Sequence, residues 1–398
     1  MPRNKDQHYV PKMLMRRFAD NNHLFSFVAK TKNGIKPILN RPYDNQCQYD
    51  FYYGRDAVWE RELGDIERAT SPIFDKIDSN IDYYPKDDEL IIIKKFFLAQ
   101  HTRTPRIVKW TKQNGKRAFV ESYLLYKRKV LYDYNPLTEE ESKWIDEHKG
   151  AELEQDAKEI LRDISSKTDY ISDLECIIIH FNCHTDLLLS DDPLTIINPF
   201  LHSAGFISIG IIILMPISTK TLIVFRDPVL YAPVDKIISS QRENAVNAIN
   251  MYQAITYDQR LMFKNKEDIK YVLDLLNKTK EAKQNFIKTG EGGVFSGPED
   301  SFIIQHHPTL LANYPFYFSS IKKEFRQFKF FDNINYRFYS KKYLDRIETM
   351  MPVLALNKWS NIDGKKIPKY KAFILAYWNE HKKYETVSVD LDKDEEKG

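Results

Sequence analysis

The sequence is short of cysteine, of long apolar runs and of any marked excess of charge, and each shortage removes a class of protein. Its three cysteines, Cys47, Cys176 and Cys183, are odd in number and far apart, with no Cys-x-x-Cys element. That spacing supports neither a disulfide framework nor a thiolate zinc site. The longest apolar stretch, from Ile207 to Ile217, falls well short of the roughly 20 residues needed to span a bilayer. The opening Met1-Pro2-Arg3-Asn4-Lys5-Asp6 carries charge with no apolar run behind it, unlike a secretory signal. The expectation is a cytoplasmic protein with no membrane segment. Fifty-nine basic residues against 56 acidic ones leave a formal charge of +3, without the strong basic excess of a dedicated nucleic-acid binder. A local patch is compatible with that total, because net charge says nothing about distribution. Phosphate-binding loops, zincin helices, EF-hands and nucleophile elbows are also missing. Gly290-Glu291-Gly292-Gly293 lacks the Lys and Ser or Thr of a phosphate loop and reads as a linker.

What remains is a chain of 398 residues, 42% hydrophobic and 29% charged, with the composition of a globular protein and enough length for a substantial core. Pro11 opens a short helix from Val10 to Phe18, and Leu24 to Lys30 alternates as a strand ending at the Lys32-Asn33-Gly34 turn. More extended chain is expected near Ile35 to Leu39 and Gln48 to Tyr53. From Asp56 the period becomes helical, with Trp59, Leu63, Ile66, Ile73 and Ile77 on one face and a bend near Pro72. The next helix, Asp87 to Thr102, is apolar nearly all round, which marks a central buried helix. Helices continue through Arg106 to Tyr132, Thr138 to His148 and Ala151 to Ser165. After Asp173 short β-rich runs take over, with Asp191-Asp192-Pro193 and Ser218-Thr219-Lys220 as hairpin connections. A helix from Asp235 to Ala254 and another from Lys264 to Lys280 follow.

The expected class is therefore α+β: a helical amino-terminal half with a central buried helix, packed against a short-stranded, mainly antiparallel β region. The organisation expected is a domain over 1–258, an aromatic-rich carboxy-terminal region over 259–389 and a disordered charged tail over 390–398.

Four segments could carry chemistry. In Gln7-His8-Tyr9-Val10-Pro11, His8 precedes a proline-initiated helix and could bind a metal or move a proton, or simply cap the helix. Glu60 and Glu67 stand two turns apart on one helical face, either as ligands or bases or as solvated charges beside an apolar stripe. Phe96, Gln100 and Arg103 follow i, i+4, i+7 spacing, so a buried helix delivers two polar groups at its end. Arg103 needs a carboxylate or an anionic ligand such as phosphate, and ion pairing with Glu60 or Glu67 competes with the second role. In Ser190-Asp191-Asp192-Pro193, the acids either cap a turn or bind a metal at a strand end. His180 and His184 carry little weight as a metal pair, and His306-His307 lacks a partner at metal spacing.

Taken in order, these elements resemble the bacterial family known as domain of unknown function 4238. Gln7-His8-Tyr9-Val10-Pro11 with Leu14, Arg17, Phe18 and Ala19 is similar to its most distinctive element. Trp59-Glu60-x-x-Leu63-x-x-x-Glu67, Gln100-x-x-Arg103-Thr104-Pro105 and Ser190-Asp191-x-Pro193 with Met215-Pro216-Ile217-Ser218 supply the rest, over about residues 7 to 255. The resemblance implies no reaction. It does imply that these elements serve one shared site, which is simpler than separate structural roles for each. On that footing His8, Glu67 and Asp191 are expected to hold a divalent metal, Mg or Mn, while Gln100 and Arg103 orient a phosphodiester and stabilise its charge. The substrate would be nucleic acid or a nucleotide, in a bacterial defence or toxin setting. The alternatives are a non-catalytic sensor or binding module for an anionic ligand or partner protein, and a purely structural ion-pair network. Nothing in the sequence bears on oligomeric state.

Overall fold

The computed structural model describes residues 5–113, 127, 133, 135–198, 203–204, 206, 210–228, 230–288, 292–296, 301–305, 307–308 and 316–322. The chain opens with strand β1 (Asp6–His8), helix α1 (Lys12–Met15), strands β2 (Leu24–Thr31), β3 (Gly34–Pro42) and β4 (Gln48–Asp50). Three helices follow: α2 (Val58–Ser79), α3 (Asp87–Thr102) and α4 (Glu139–Ser166), with residues 105–113 also helical. Strands β5 (Glu175–Phe181), β6 (Leu189–Ser190), β7 (Thr195–Ile197), β8 (Ser203–Ala204), β9 (Ile212–Pro216), β10 (Thr221–Arg226) and β11 (Ile237–Ser240) come next. Helix α5 (Glu243–Thr256), strand β12 (Arg260–Phe263) and helix α6 (Ile269–Lys288) complete the part that concerns function.

The α+β class stands, but the helical amino-terminal half does not. Strands dominate the first fifty residues, where α1 is a single four-residue turn, and the long helices begin only at Val58. The physical reason is long-range pairing. β2 lies between β3 and β12 in a four-stranded sheet of order β3-β2-β12-β6, so the amino-terminal hairpin is completed by strands far along the chain. A second sheet of five strands has the order β11-β5-β10-β9-β7.

Two local expectations are corrected as well. Asp191-Asp192-Pro193 joins no hairpin, because β6 belongs to the first sheet and β7 to the second. The segment expected to begin a helix at Asp235 instead places Ile237–Ser240 as an edge strand parallel to β5, and α5 starts six residues later than Ile237, at Glu243. The Ser218-Thr219-Lys220 connection does form the β9–β10 hairpin. The carboxy-terminal tail and nearly all of the chain after Ser319 that was expected to form its aromatic-rich region lie outside the described residues.

The helices sit where their apolar patterns place them. In α2, Trp59, Leu63, Ile66, Ile73, Phe74 and Ile77 are buried along one stripe. Pro72 lies within that helix, where it removes one backbone donor. In α3 the stripe widens to most of the circumference, from Ile93 to Thr102. The helix therefore sits between α2 and the five-stranded sheet: Phe96 meets Phe74 edge to face with ring centres 5.4 Å apart, and Phe97 meets Phe225 of β10 at 4.9 Å. Among the described residues no helix is long and apolar enough to cross a membrane.

Since Phe97 is fully buried between helix and sheet, Phe97→Ala should lower stability by about 3–5 kcal/mol. Urea unfolding followed by circular dichroism measures this, and a loss below about 1 kcal/mol would show that the contact is dispensable.

Candidate functional site

Three elements meet at the carboxy-terminal end of α3. The first is β1. Gln7 is fully buried; its side-chain amide donates to the Gly54 carbonyl at 3.1 Å and its oxygen accepts the Tyr53 N–H, which fixes β1 against the loop before α2. The Tyr53 hydroxyl donates to the His8 carbonyl at 3.0 Å. The His8 ring Nε2 lies 2.9 Å from the Asp44 carbonyl. A carbonyl only accepts, so Nε2 carries the proton and Nδ1 keeps the lone pair in the neutral ring. Burial pushes the His8 pKa below its ordinary value, and this outweighs the opposing bond to Asp44.

The second and third elements are α3 and α2. Gln100, fully buried, donates to the Tyr9 carbonyl at 3.0 Å and accepts Arg103 Nε at 2.9 Å. Arg103 Nη1 donates to Glu67 Oε1 at 2.6 Å. The Arg103 side chain is 1% exposed while that of Glu67 is 27% exposed, so the pair reaches from the core to the edge of solvent. Arg103 Nη2 is buried and has no hydrogen-bond partner among the described residues. The same is true of Trp59 Nε1. Glu60, one position from Trp59, has its pKa raised to about 7 by burial first and by the Glu67 carboxylate second, against a lowering by Arg103.

Glu67, Gln100 and Arg103 are thus joined by hydrogen bonds, and His8 and Glu60 are near enough to feel the Glu67 and Arg103 charges. Asp191 has a different environment. Its carboxylate accepts the backbone N–H groups of Asp258 at 2.8 Å, Gln259 at 2.8 Å and Arg260 at 3.0 Å. Burial raises its pKa to about 6, opposed by the N–H groups of Gln259 and Asp258. Asp192 accepts from Arg106 and, at 3.3 Å, from Thr104. Both oxygens of Asp191 therefore serve the turn that leads into β12. That turn in turn presents Arg260, whose Nη1 donates to the Tyr9 hydroxyl at 3.1 Å. Asp191 reaches the α3 site through this relay. Among the described residues no group of three or more His, Cys, Asp and Glu side chains is placed to hold a metal ion. The His180 ring instead faces the Thr221 hydroxyl at 3.4 Å, and His184 gives its backbone N–H to Glu243.

Sequence reasoning missed two contributors. Arg260 has no motif around it that marks its reach back to Tyr9. The aromatic surround of the site was signalled by Tyr49, Tyr52 and Tyr53 falling within five residues, but the stacking of Tyr49 on Tyr9 depends on the β1–β4 pairing, which sets Gln7 opposite Tyr49.

Chemically, the cluster offers a buried cation with one donor nitrogen unpartnered among the described residues, a carboxyl with its pKa raised to about 7, and an imidazole whose Nδ1 keeps its lone pair. Arg103 and Glu67 form an ion pair, the lowered His8 pKa favours its neutral ring, and Glu60, raised to about 7, is about half protonated at neutrality, so the cluster carries little net charge against an anion.

A family model described as "Protein of unknown function (DUF4238)" matches residues 6–267. No curated protein and no solved structure matches the chain.

Arg103→Ala leaves the Glu67 carboxylate and the Gln100 oxygen without their donor, so a loss of about 2–4 kcal/mol is expected, tempered by the partial exposure of Glu67. A urea midpoint equal to that of the parent would contradict the pairing. Glu60 gives a pH signature. Its folded pKa, about 7, lies above the ordinary carboxyl value of 4.5. The folded state therefore holds the proton more tightly, and stability declines as pH rises from about 4.5 to about 7. Glu60→Gln should flatten that part of the urea-midpoint profile and exceed the parent at pH values above the window; unchanged curvature would show that Glu60 ionises normally.

Proposed function

The chain belongs to the DUF4238 family, and on that premise we propose that it is a phosphodiester hydrolase working by acid–base chemistry at the His8–Glu60–Glu67–Arg103 cluster. The observation that carries this reading is the Arg103 guanidinium, buried and held on Gln100 and Glu67, with Nη2 left without a partner among the described residues, near a carboxyl whose pKa burial raises to about 7. A sensor needs the cation alone; the protonated Glu60 and the free Nδ1 of His8 are groups that bond cleavage uses.

In this mechanism Arg103 Nη2 donates to a non-bridging phosphoryl oxygen and stabilises the charge that builds there. His8 Nδ1 takes a proton from water as the water oxygen bonds to phosphorus. The bond from phosphorus to the leaving oxygen breaks, and Glu60 gives its proton to that oxygen. Solvent returns the proton from His8 to Glu60. Glu67 and Gln100 hold Arg103 in place. The Mg or Mn ion expected from sequence loses its third ligand, because both Asp191 oxygens accept backbone N–H groups; the donor set does not fit it, and no step is assigned to a metal. Such an activity would suit a bacterial defence or toxin effector acting on nucleotides or nucleic acid.

The deep burial of Arg103 favours a second reading, a binding module in which the same cation holds an anionic ligand and no bond breaks.

Turnover of bis(p-nitrophenyl) phosphate and of a dinucleotide separates the two. The rate should rise with pH as His8 deprotonates below its ordinary value, then fall as Glu60 loses its proton near 7. Glu60→Gln and His8→Gln should each lose about 100-fold or more while remaining folded by circular dichroism, and EDTA should leave the parent unchanged. Full activity in both variants would refute the mechanism, and saturable binding without turnover would establish the second reading.

A further inference from the structure

Beside the Arg103 cluster runs a ladder of aromatic rings that hydrolysis itself does not use. Trp59 meets Tyr53 edge to face with ring centres 4.9 Å apart, and Tyr53 meets Tyr52 at 4.9 Å. Tyr52 meets Tyr49 at 5.6 Å, and Tyr49 lies on Tyr9 at 5.3 Å with only 24° between planes. The inner end is closed, with Trp59 4% exposed, whereas Tyr49 at the outer end is 38% exposed. Core packing accounts for the inner rings. It leaves open why the outermost ring is held flat, with its hydroxyl donating to Gln259 at 3.2 Å, and partly uncovered. Tyr9 is also the residue whose carbonyl accepts from Gln100, which in turn holds Arg103. The exposed ring and the buried cation are thus fixed to one another through two side chains.

The cations around the ladder limit how much phosphate could follow. Lys5 is paired with Asp50 at 2.9 Å and Lys12 with Asp44 at 3.8 Å. Arg55 lies over the Phe51 ring at 4.8 Å and Lys158 over Tyr52 at 5.5 Å. Asp6 and Asp56 add negative charge nearby in sequence. A long single strand needs a basic track, and these four cations, each paired with a carboxylate or lying over a ring, do not form one.

We infer that the substrate is a small nucleotide phosphodiester, stacked by its base on Tyr49 and held by its phosphate at Arg103, rather than a long nucleic-acid strand. This rests on the hydrolase reading for the identity of the phosphate site. The base supplies a flat face for a sequence-tolerant stack, and Arg103 Nη2, a buried donor without a partner among the described residues, is the group that the hydrolase reading assigns to the phosphate.

Calorimetry on the full chain tests this with three probes: the dinucleotide ApA, dimethyl phosphate, which has no base, and a single-stranded 12-mer. ApA is expected to bind at least tenfold more tightly than dimethyl phosphate, and Tyr49→Ala to remove about tenfold or more of that affinity. Tyr49→Phe keeps the ring and should keep binding; Tyr49→Leu keeps apolar cover on Tyr9 and should lose it, which guards against a folding defect in the alanine variant. The 12-mer should bind with a shallow salt dependence, of one or two released ions. Equal affinity for ApA and dimethyl phosphate, insensitive to residue 49, would overturn the stacking inference and leave the hydrolase reading intact. A steep salt dependence with much tighter 12-mer binding would overturn the preference for a small substrate. Failure of every phosphodiester to bind would overturn both.

Discussion

A guanidinium cannot shed its proton inside a protein, so the burial of Arg103 dictates what must surround it. Uncompensated, the charge would cost several kcal/mol in a medium of low dielectric. The surroundings answer this from three directions. Gln100, one turn earlier on the same helix, accepts from Nε, and Glu67 on the neighbouring helix accepts from Nη1. Gln100 in turn holds the Tyr9 carbonyl and so draws β1 into the site. The packing of α2 against α3 through Phe74 and Phe96 then has a polar continuation at its end, with Phe96 also lying under the guanidinium at 5.8 Å. Function, in this account, uses what that arrangement leaves over: one nitrogen that neither partner reaches.

A second polar centre supports the first from a distance. Asp191 gathers three backbone N–H groups at the entrance to β12, a strand that pairs with both β2 and β6. Without that carboxylate the turn would hold three part-buried donors in need of acceptors. Its effect reaches the α3 site through Arg260 and the Tyr9 hydroxyl. The two centres are therefore coupled through Tyr9, which takes a hydrogen bond at each end and a stacked ring on its face. A family element that reads in sequence as a ligand pair thus acts here as a brace for the wall of the site.

How much of this could be read from sequence depends on the range of the interaction involved. α3 was legible to its boundaries, Asp87–Thr102, because a helix apolar on all sides has few other homes. The β2–β3 hairpin was legible from its Lys32-Asn33-Gly34 turn, and the convergence of Gln100 and Arg103 from helical spacing alone. The amino-terminal sheet was not, since β2 finds its second neighbour more than 200 residues away at Met262. β11 was hidden for a different reason: Ile237-Ile238-Ser239-Ser240 is short, lies at the sheet edge and runs into helix-forming sequence. Turn capping by Asp191 was one of the roles its sequence offered, but the turn it caps, Asp258 to Arg260, begins 67 residues further on and leaves no trace beside it. Glu60 was visible as a helical neighbour of Glu67, but its retained proton follows from burial, which only the assembled fold defines.

The central claim is that Arg103 Nη2 is kept open for a phosphoryl oxygen. A crystal structure of the protein with a slowly hydrolysed phosphorothioate dinucleotide would test it most directly. A non-bridging atom of the phosphorothioate is expected within hydrogen-bond distance of Nη2, with Glu67 still on Nη1. A ligand bound elsewhere, with Nη2 covered by a protein acceptor, would contradict it.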